Sequence, residues 1–402
     1  MKKVRSAFFG FFILVGLVRG FSQDTAPHLP AAVGSRADSI GYLGNGIIKI
    51  GVDLDLGGSI TYLAPAAAEN MINDFDWGRQ IQMSFYSGPV PFMPHGKKPL
   101  KAWEPLGWNP IQSGDCFRNR AKVIAYKNDG KEIYVKSIPM QWPLDNVPGE
   151  CTFESWISLD GNTVSVRSRI NNHREDTTQY SGRTQELPAV YTNGNYHNLV
   201  TYKGARPYSG DSVTYIQNEN PVTSPSIRWA HWEATENWAA SLNDQGWGLG
   251  IWCPGVQEIS GGFYGDKHSD RVGSKDPATC YIAPNYREIL DHNISYQYRY
   301  TLIVGTLKQI RSYDYRHVRQ KDALPSYRFD HGRQHWIYEN SRDAGWPVTG
   351  EISVGLQKGA ALLGPSCLWL AGRAPYLYID AAYHTNASKG RIYWKTFDGK
   401  GY

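Results

Sequence analysis

The densest run of ionisable and polar side chains lies between Arg183 and Asn198. It combines a carboxylate, an imidazole, an arginine, two tyrosines and several amides. Cleavage of a glycosidic bond needs one acid to protonate the leaving oxygen and a second carboxylate to act as base or nucleophile. We therefore predict that Glu186 is the acid. His197 is a candidate proton donor, proton acceptor or anchor for a hydroxyl group.

Three other carboxylates are candidates for the second catalytic group. They are Glu154, Glu233 and Asp76, and the sequence does not measure the separation that would choose between them. Each is also typical of an ordinary surface or turn residue, so the assignment stays open among the three.

Aromatic residues give the second indication of chemistry. The chain has 14 Trp and 26 Tyr, and many of the tryptophans stand beside Gly, Asn, Asp or Pro rather than inside apolar runs. Flat rings can pack on the C–H faces of sugars while amides and charged groups bind the hydroxyls, although large aromatics also fill sandwich cores. The residues that we predict to bind substrate are Asp76, Arg79, Gln82, Trp156, Arg183, Tyr191, Asn195, Tyr196, Trp232 and Trp238.

Two further hypotheses for the function remain open. In a polysaccharide lyase, Tyr191, Tyr196 or His197 would abstract a proton while Arg79 or Arg183 neutralises a uronate. In a non-catalytic glycan-binding protein, the same groups would bind a polysaccharide or oligosaccharide without product release. The sequence has no nucleotide-binding glycine motif, no zinc-protease motif and no serine-esterase elbow. We expect no cofactor and no metal.

The elements that position these residues are predicted to be strands. Apolar and polar residues alternate at 48–54, 80–86, 132–138, 152–159, 163–170, 247–252 and 296–304, the period of half-buried strands. One short helix is predicted near 307–318. The pattern predicts an all-β chain whose main part is a large antiparallel β-sandwich or supersandwich.

Three segments follow from the pattern. Residues 1–22 begin with basic residues, continue with an apolar run and end at small residues that fit a cleavage site. This pattern predicts a signal peptide and a secreted or periplasmic protein. Residues 23–322 form the predicted supersandwich. Residues 325–402 restart a β pattern and predict a smaller accessory β-sandwich that is incomplete.

The charge balance bears on partners. The first 22 residues hold four basic side chains and no acid, so the remainder has 38 basic against 37 acidic residues. No long Lys/Arg run is present, which argues against a nucleic-acid or generic polyanion binder. We also expect no membrane insertion.

One stretch resembles a known family. Asn45-Gly46, the Gly57–Leu63 strand and the Asn70–Gln82 segment with its aspartates, glycine and arginine resemble the opening of galactose-mutarotase-like β-supersandwich domains of secreted carbohydrate-active enzymes. Asn237–Gly250 is similar in style to a central strand pair of these domains. The resemblance implies a fold over about residues 40–305, but that fold hosts mutarotases, hydrolases, lyases and binding modules. The mutarotase pattern of paired histidines and a glutamate has no clear counterpart here, which argues against simple epimerisation.

Overall fold

A computed structural model of the chain describes residues 39–221, 227–318, 324–365, 367, 369, 374–394 and 396. The predicted signal peptide lies outside the described residues. In chain order the strands are β1 (Ile40–Gly44), β2 (Ile48–Asp53), β3 (Ser59–Pro65), β4 (Ile81–Ser84), β5 (Pro110–Ile111), β6 (Lys122–Asn128), β7 (Glu132–Ile138), β8 (Met140–Gln141), β9 (Cys151–Asp160), β10 (Thr163–Asn172), β11 (Arg183–Asn193), β12 (Asn198–Thr201), β13 (Thr214–Tyr215), β14 (Glu219–Asn220), β15 (Ala230–Glu233), β16 (Trp238–Leu242), β17 (Trp247–Trp252), β18 (Glu258–Tyr264), β19 (Thr279–Glu288), β20 (Ser295–Thr306), β21 (Ile337–Asp343) and β22 (Val354–Leu363).

Two large sheets carry most of these strands. The eleven-stranded sheet follows the order β1-β2-β3-β4-β11-β19-β18-β14, with β15 paired to β18 and with β5 and β8 attached beside β4. The nine-stranded sheet follows the order β13-β12-β16-β17-β20-β10-β9-β7-β6. Almost all neighbours are antiparallel, and the pair β14–β18 is parallel. The prediction of an all-β chain with a large antiparallel sandwich is confirmed.

The sheets pack face to face around one core. Ile50 and Ile282 of the eleven-stranded sheet and Phe153, Val164 and Leu302 of the nine-stranded sheet are almost completely buried in it. These residues alternate along their strands with residues that point away from the core, because successive strand side chains face opposite sides. Each sheet therefore also has an outer face, and the candidate residues are divided between the two outer faces.

The helix α1 (Leu307–His317) begins at a capping box between Thr306 and Gln309. It covers part of the outer face of the nine-stranded sheet, where Ile310 is fully buried. Gly250 of β17 lets the helix approach, since a Cβ atom there would stand 2.4 Å from Ile310. Across the described residues, no helix is both long and apolar enough to span a bilayer.

After residue 324, β21 and β22 pair as an antiparallel hairpin. Arg333 fixes this segment to the sandwich through ion pairs of 2.7 Å with both Asp291 and Asp343, and all three side chains are buried. The accessory β-sandwich over 325–402 stays a prediction, because only part of that range is described.

Candidate active site

A row of polar residues crosses the outer face of the eleven-stranded sheet. Glu186 on β11 lies directly opposite Ser84 on β4 and Asn285 on β19. Asn285 lies opposite Glu258 on β18, and Glu258 lies opposite Glu233 on β15. Directly opposed residues of antiparallel strands point to the same face. These five residues, which we call the acidic row, therefore place three carboxylates on one face of the sheet.

Glu186 is held by hydroxyl groups. Tyr86 donates a hydrogen bond to its Oε2 at 3.0 Å, and Tyr281 donates to its Oε1. Ser84 in turn donates to the Tyr86 hydroxyl at 2.9 Å. Glu186 as a whole residue is only partly buried. Its carboxyl group is therefore fixed in position within a partly exposed residue.

The surroundings of Glu186 favour its protonated form. Burial raises the pKa of the carboxyl above its ordinary value, and the hydrogen bonds from Tyr281, Ser84 and Tyr86 oppose this without cancelling it. Burial, followed by the charge of Glu186, also raises the pKa of Tyr86 and Tyr281 well above the ordinary value, so both phenols remain donors. A carboxyl with a raised pKa is suited to general-acid catalysis.

Aromatic rings stand beside the acidic row. Tyr281 lies between Tyr191, at a ring-centre distance of 4.7 Å, and Trp229, at 4.9 Å. These rings pack with two small buried residues, Ala189 on β11 and Ala283 on β19. Tyr191 and Trp229 are half-buried, so the cluster offers rings next to a carboxyl group.

A histidine lies at the other end of this face. His231 on β15 is opposite Ser260 on β18, two positions along from the Glu233–Glu258 pair and therefore on the same face. Burial of the imidazole lowers the pKa of His231, while the charge of Glu258 opposes that shift. The imidazole is thus biased towards its neutral form, in which one ring nitrogen can accept a proton.

Of the predicted residues, Asp76, Arg79 and Tyr191 lie on the same side of the molecule as Glu186. Arg79 pairs with Asp76 at 3.2 Å and also donates to the carbonyl of Pro277. The charges of Arg79 and Asp76 both act on the Tyr191 hydroxyl, in opposite directions. The arginine is therefore already neutralised at this edge of the ring cluster.

Gln82 and Arg183 support the surrounding loops. The buried amide of Gln82 donates to the carbonyls of Trp77 and Arg79, at 3.1 and 2.9 Å. Arg183 donates to the carbonyls of Leu106 and Pro105 at 2.8 and 3.0 Å, at the end of the short 3-10 helix Lys101–Leu106. Both side chains therefore donate mainly to backbone carbonyls, and Gln82 also donates to the Gln80 side chain at 3.4 Å.

The structure separates the two ends of the predicted 183–198 cluster. Glu186 lies near the start of β11, and the seven residues to Asn193 span about 23 Å of extended strand. Asn195, Tyr196 and His197 follow that distant end: Asn195 is in a turn, the Tyr196 ring faces Trp247, and His197 Nε2 lies 3.0 Å from Asp244 Oδ1. These three do not share a site with Glu186.

Glu154 and Trp156 lie on the outer face of the other sheet. Glu154 accepts hydrogen bonds from Tyr134 and Asn171, both at 2.7 Å. Burial raises the pKa of Glu154, but these bonds and the positive charges of Lys136 and Arg169 outweigh it and lower the pKa. The carboxylate is therefore ionised and lies across the sandwich from Glu186.

Trp232 and Trp238 are enclosed. Trp232 is 7% exposed and packs in the core between the sheets. Trp238 is 1% exposed, and its indole N–H donates to Glu236 at 2.8 Å under α1. In this structure neither ring is open to a ligand, although Glu233, one residue after Trp232, points to the outer face with Glu186.

The sequence interpretation missed several members of the site. Glu258, Asn285, Tyr281, Tyr86 and Trp229 were not among the predicted residues. The alternation in 258–264 and 279–287 carries a signal, since it places Glu258, Tyr281 and Asn285 on the polar faces of their strands. The sequence does not predict which strands are neighbours in the sheet. In the described part of the chain, no group of three or more His, Cys, Asp or Glu could hold a metal ion.

Comparison with the models of known protein families gives no match, and comparison with curated protein sequences gives none either. Among solved structures, the chain is similar to a galactose mutarotase related enzyme from Lactobacillus acidophilus, with 12% identity, a TM-score of 0.38 and coverage of 66% of this chain and 97% of that one. A galactose mutarotase-like protein from Clostridium acetobutylicum gives 8% identity, a TM-score of 0.40 and coverage of 66% and 95%. A 4-alpha-glucanotransferase from Thermococcus litoralis gives 12% identity, a TM-score of 0.35 and coverage of 67% and 37%.

These neighbours are carbohydrate-related proteins, and the likeness is the fold-level resemblance to galactose-mutarotase-like domains stated from the sequence. At TM-scores of this size it carries no argument about the reaction.

Proposed function

We propose that this chain is a secreted carbohydrate-active enzyme that hydrolyses a glycosidic bond on the outer face of the eleven-stranded sheet. The observation that carries the proposal is the setting of Glu186, a partly exposed residue whose carboxyl group is fixed by two tyrosines and has a raised pKa. A second carboxylate shares its cross-strand row. Acid and base in one row are the pair that glycoside hydrolysis requires.

In the proposed reaction, Glu186 protonates the glycosidic oxygen as the bond to the anomeric carbon breaks. A water molecule attacks the opposite side of that carbon and gives its proton to the second carboxylate. The sugar packs against the half-buried rings of Tyr191 and Trp229. Each turnover consumes one water molecule and produces one new reducing end.

Spacing selects Glu258 as the second carboxylate. Glu258 is two strands from Glu186, about 10 Å between Cα atoms, whereas Glu233 is three strands away, about 14 Å. Inverting hydrolases hold their carboxyl groups roughly 6.5–9.5 Å apart, and retaining ones about 5–5.5 Å. Of the two carboxylates in the row, Glu258 is thus the nearer candidate, and we take it as the base of an inverting reaction.

The geometry favours hydrolysis over the lyase hypothesis. Burial and the charge of Glu186 raise the pKa of Tyr191 well above its ordinary value, which makes the phenol a poor base at neutral pH. Arg79 is paired with Asp76, and Arg183 is bonded to backbone carbonyls. Neither arginine is thus placed to neutralise a uronate carboxylate.

The test is incubation of the full chain with a panel of polysaccharides, read by new reducing ends and by ultraviolet absorbance together. Glu186→Gln and Glu258→Gln should each lower turnover by a factor of about 1000, at the scale of general acid–base catalysis. Glu154→Gln is the matched control, because it removes a tyrosine-bonded carboxylate from the other outer face.

Reducing ends without ultraviolet absorbance, lost in Glu186→Gln and retained in Glu154→Gln, support the proposal. Proton NMR of the first product should show the inverted anomer. Products that absorb as unsaturated uronates would identify a lyase. Binding of a polysaccharide with no product would identify a binding protein, and either result would overturn the proposal.

A further inference from the structure

A second cross-strand row runs over the outer face of the nine-stranded sheet. Arg299 on β20 lies directly opposite Arg167 on β10, Arg167 opposite Trp156 on β9, Trp156 opposite Tyr134 on β7, and Tyr134 opposite Lys127 on β6. These five residues, which we call the basic row, span about 19 Å at the usual strand spacing. Three cations and two aromatic rings therefore form a line, in which Lys127 at the outer end pairs with Asp129 at 3.5 Å.

The two arginines of the row are exposed and directly opposed. Arg167 and Arg299 form no ion pair with any residue in the described part of the chain. Like charges directly opposite each other on neighbouring strands reduce stability. This arrangement therefore costs the free protein stability, and an anion placed between the two guanidinium groups would remove that cost.

Trp156 holds the guanidinium groups of Arg167 and Arg169 in place. Arg167 lies 4.3 Å from the centre of its ring and Arg169 lies 5.1 Å from it. The Tyr134 ring packs beside the indole at 5.2 Å, and the Tyr134 hydroxyl is anchored on Glu154 at 2.7 Å. Arg169 is itself occupied, with Glu154 at 3.6 Å and Gln297 at 3.2 Å. The cluster thus fixes Arg167 on the indole while its donors stay exposed.

We propose that the basic row is a binding site for an acidic polysaccharide, on the face of the sandwich opposite to the acidic row. Guanidinium groups bind carboxylates and sulfates in two-point geometry, and preorganisation on an aromatic ring reduces the entropy lost on binding. A linear array suits an extended chain that carries negative groups at intervals. The site is independent of the proposed hydrolysis.

The arrangement favours a glycan over a nucleic acid. Single-stranded nucleic acids bind by stacking their bases on open aromatic faces along a continuous basic groove. Here guanidinium groups lie against Trp156, and the two aromatic residues separate Lys127 from the arginines. The charge balance of the sequence does not reveal the basic row, because its members come from five strands that are spread between residues 127 and 299.

The test measures binding of the full chain, at low salt, to polygalacturonate, dextran sulfate, neutral dextran and oligo-dT by calorimetry. We expect binding to polygalacturonate, to dextran sulfate or to both. The polymer that binds more tightly identifies carboxylate or sulfate as the preferred group, and the affinity should fall as the salt concentration rises. Arg167→Gln/Arg299→Gln should lower that affinity at least tenfold. Arg342→Gln/Lys358→Gln removes two exposed positive charges from the β21–β22 hairpin and should leave the affinity within twofold.

Trp156→Leu keeps every charge of the row and should still lower the affinity, because Arg167 loses the ring that holds it. Unfolding midpoints measured for all variants separate lost binding from lost folding. Equal affinity of Arg167→Gln/Arg299→Gln and the wild type would overturn the proposal. Failure to bind either acidic glycan, or binding of oligo-dT as tight as theirs, would also overturn it.

Discussion

Two glutamates on opposite outer faces of the sandwich have similar immediate partners and opposite pKa shifts. Glu186 accepts hydrogen bonds from Tyr86 and Tyr281, and Glu154 accepts one from Tyr134. Both lie on long strands and point away from the core. Burial dominates at Glu186 and raises its pKa, whereas at Glu154 the hydrogen bonds and nearby cations overcome burial and lower it.

At Glu154 the hydrogen bonds from Tyr134 and Asn171 oppose burial most, and the charges at the cross-strand positions on either side add to them. Glu154 lies directly opposite Arg169 on one neighbouring strand and Lys136 on the other. The corresponding neighbours of Glu186 are Asn285 and Ser84, which carry no charge. Opposite charges stabilise a carboxylate, and neutral neighbours leave the cost of burial in place. Two register positions therefore add to the difference in pKa between the two glutamates.

Asp314 shows that a raised pKa alone does not make a site. Burial raises the pKa of Asp314 to about 7, although Trp252 donates to it at 2.8 Å. The residue is fully buried on the inner side of α1, where no substrate can reach it. Glu186 differs in having partial solvent exposure and neighbouring rings.

The largest expected effect concerns Asp314→Asn. Because the folded pKa of Asp314 is above its ordinary value, its stabilising contribution is present below about pH 4 and is lost as pH rises towards 7. At pH 8 the substitution should raise the free energy of unfolding by about 4 kcal/mol. Denaturant unfolding at pH 4 and pH 8 measures this. An equal effect at both values would contradict the explanation.

Asn285→Lys would give Glu186 the kind of neighbour that Glu154 has. The ammonium group should lower the pKa of Glu186, so that the acid is ionised at neutral pH and turnover falls by about a factor of 100. Asn285→Ser is the neutral control and should retain most of the activity. Full activity in the lysine variant, with its fold intact, would remove Glu186 from the role of acid.

Arg169→Gln/Lys136→Gln is the converse change. Without its two cross-strand cations, Glu154 should show a higher pKa, since burial is then opposed only by hydrogen bonds. NMR titration of the Glu154 carboxyl carbon measures the shift. Arg342→Gln/Lys358→Gln is the control, because it also removes two positive charges. A pKa that stays below the ordinary value would show that hydrogen bonds alone set it.

The smallest effect is expected for Arg299→Gln in the basic row. Relief of the repulsion from Arg167 should raise the free energy of unfolding by about 0.3 kcal/mol at low salt. The gain should fade in high salt, where exposed charges are screened. Destabilisation at low salt would instead mean that Arg299 has a structural role.

Strand positions were readable from the sequence because alternation is local. The predicted strands at 132–138 and 247–252 coincide with β7 and β17, and the helix predicted near 307–318 is α1. The order of the strands was not readable, since β11 pairs with β4 and β19, which lie about a hundred residues away on either side.

The same limit applies to the candidate site. The faces of β4 and β9 look alike in sequence, yet one belongs to the Glu186 face and the other to the opposite side of the sandwich. Glu186 was predicted from its place in a dense polar cluster, and Glu154 as a carboxylate in a predicted strand. Only register reveals that Asn285 and Glu258 continue the row of Glu186, or that Arg169 and Lys136 flank Glu154.

Titration of the glutamate carboxyl carbons by NMR tests the central claim most directly and needs no substrate. Glu186→Gln and Glu154→Gln assign the two resonances. We expect Glu186 to titrate above the ordinary glutamate pKa and Glu154 below it. If Glu186 titrated at or below Glu154, the account of its face as the one that supplies an acid would be contradicted.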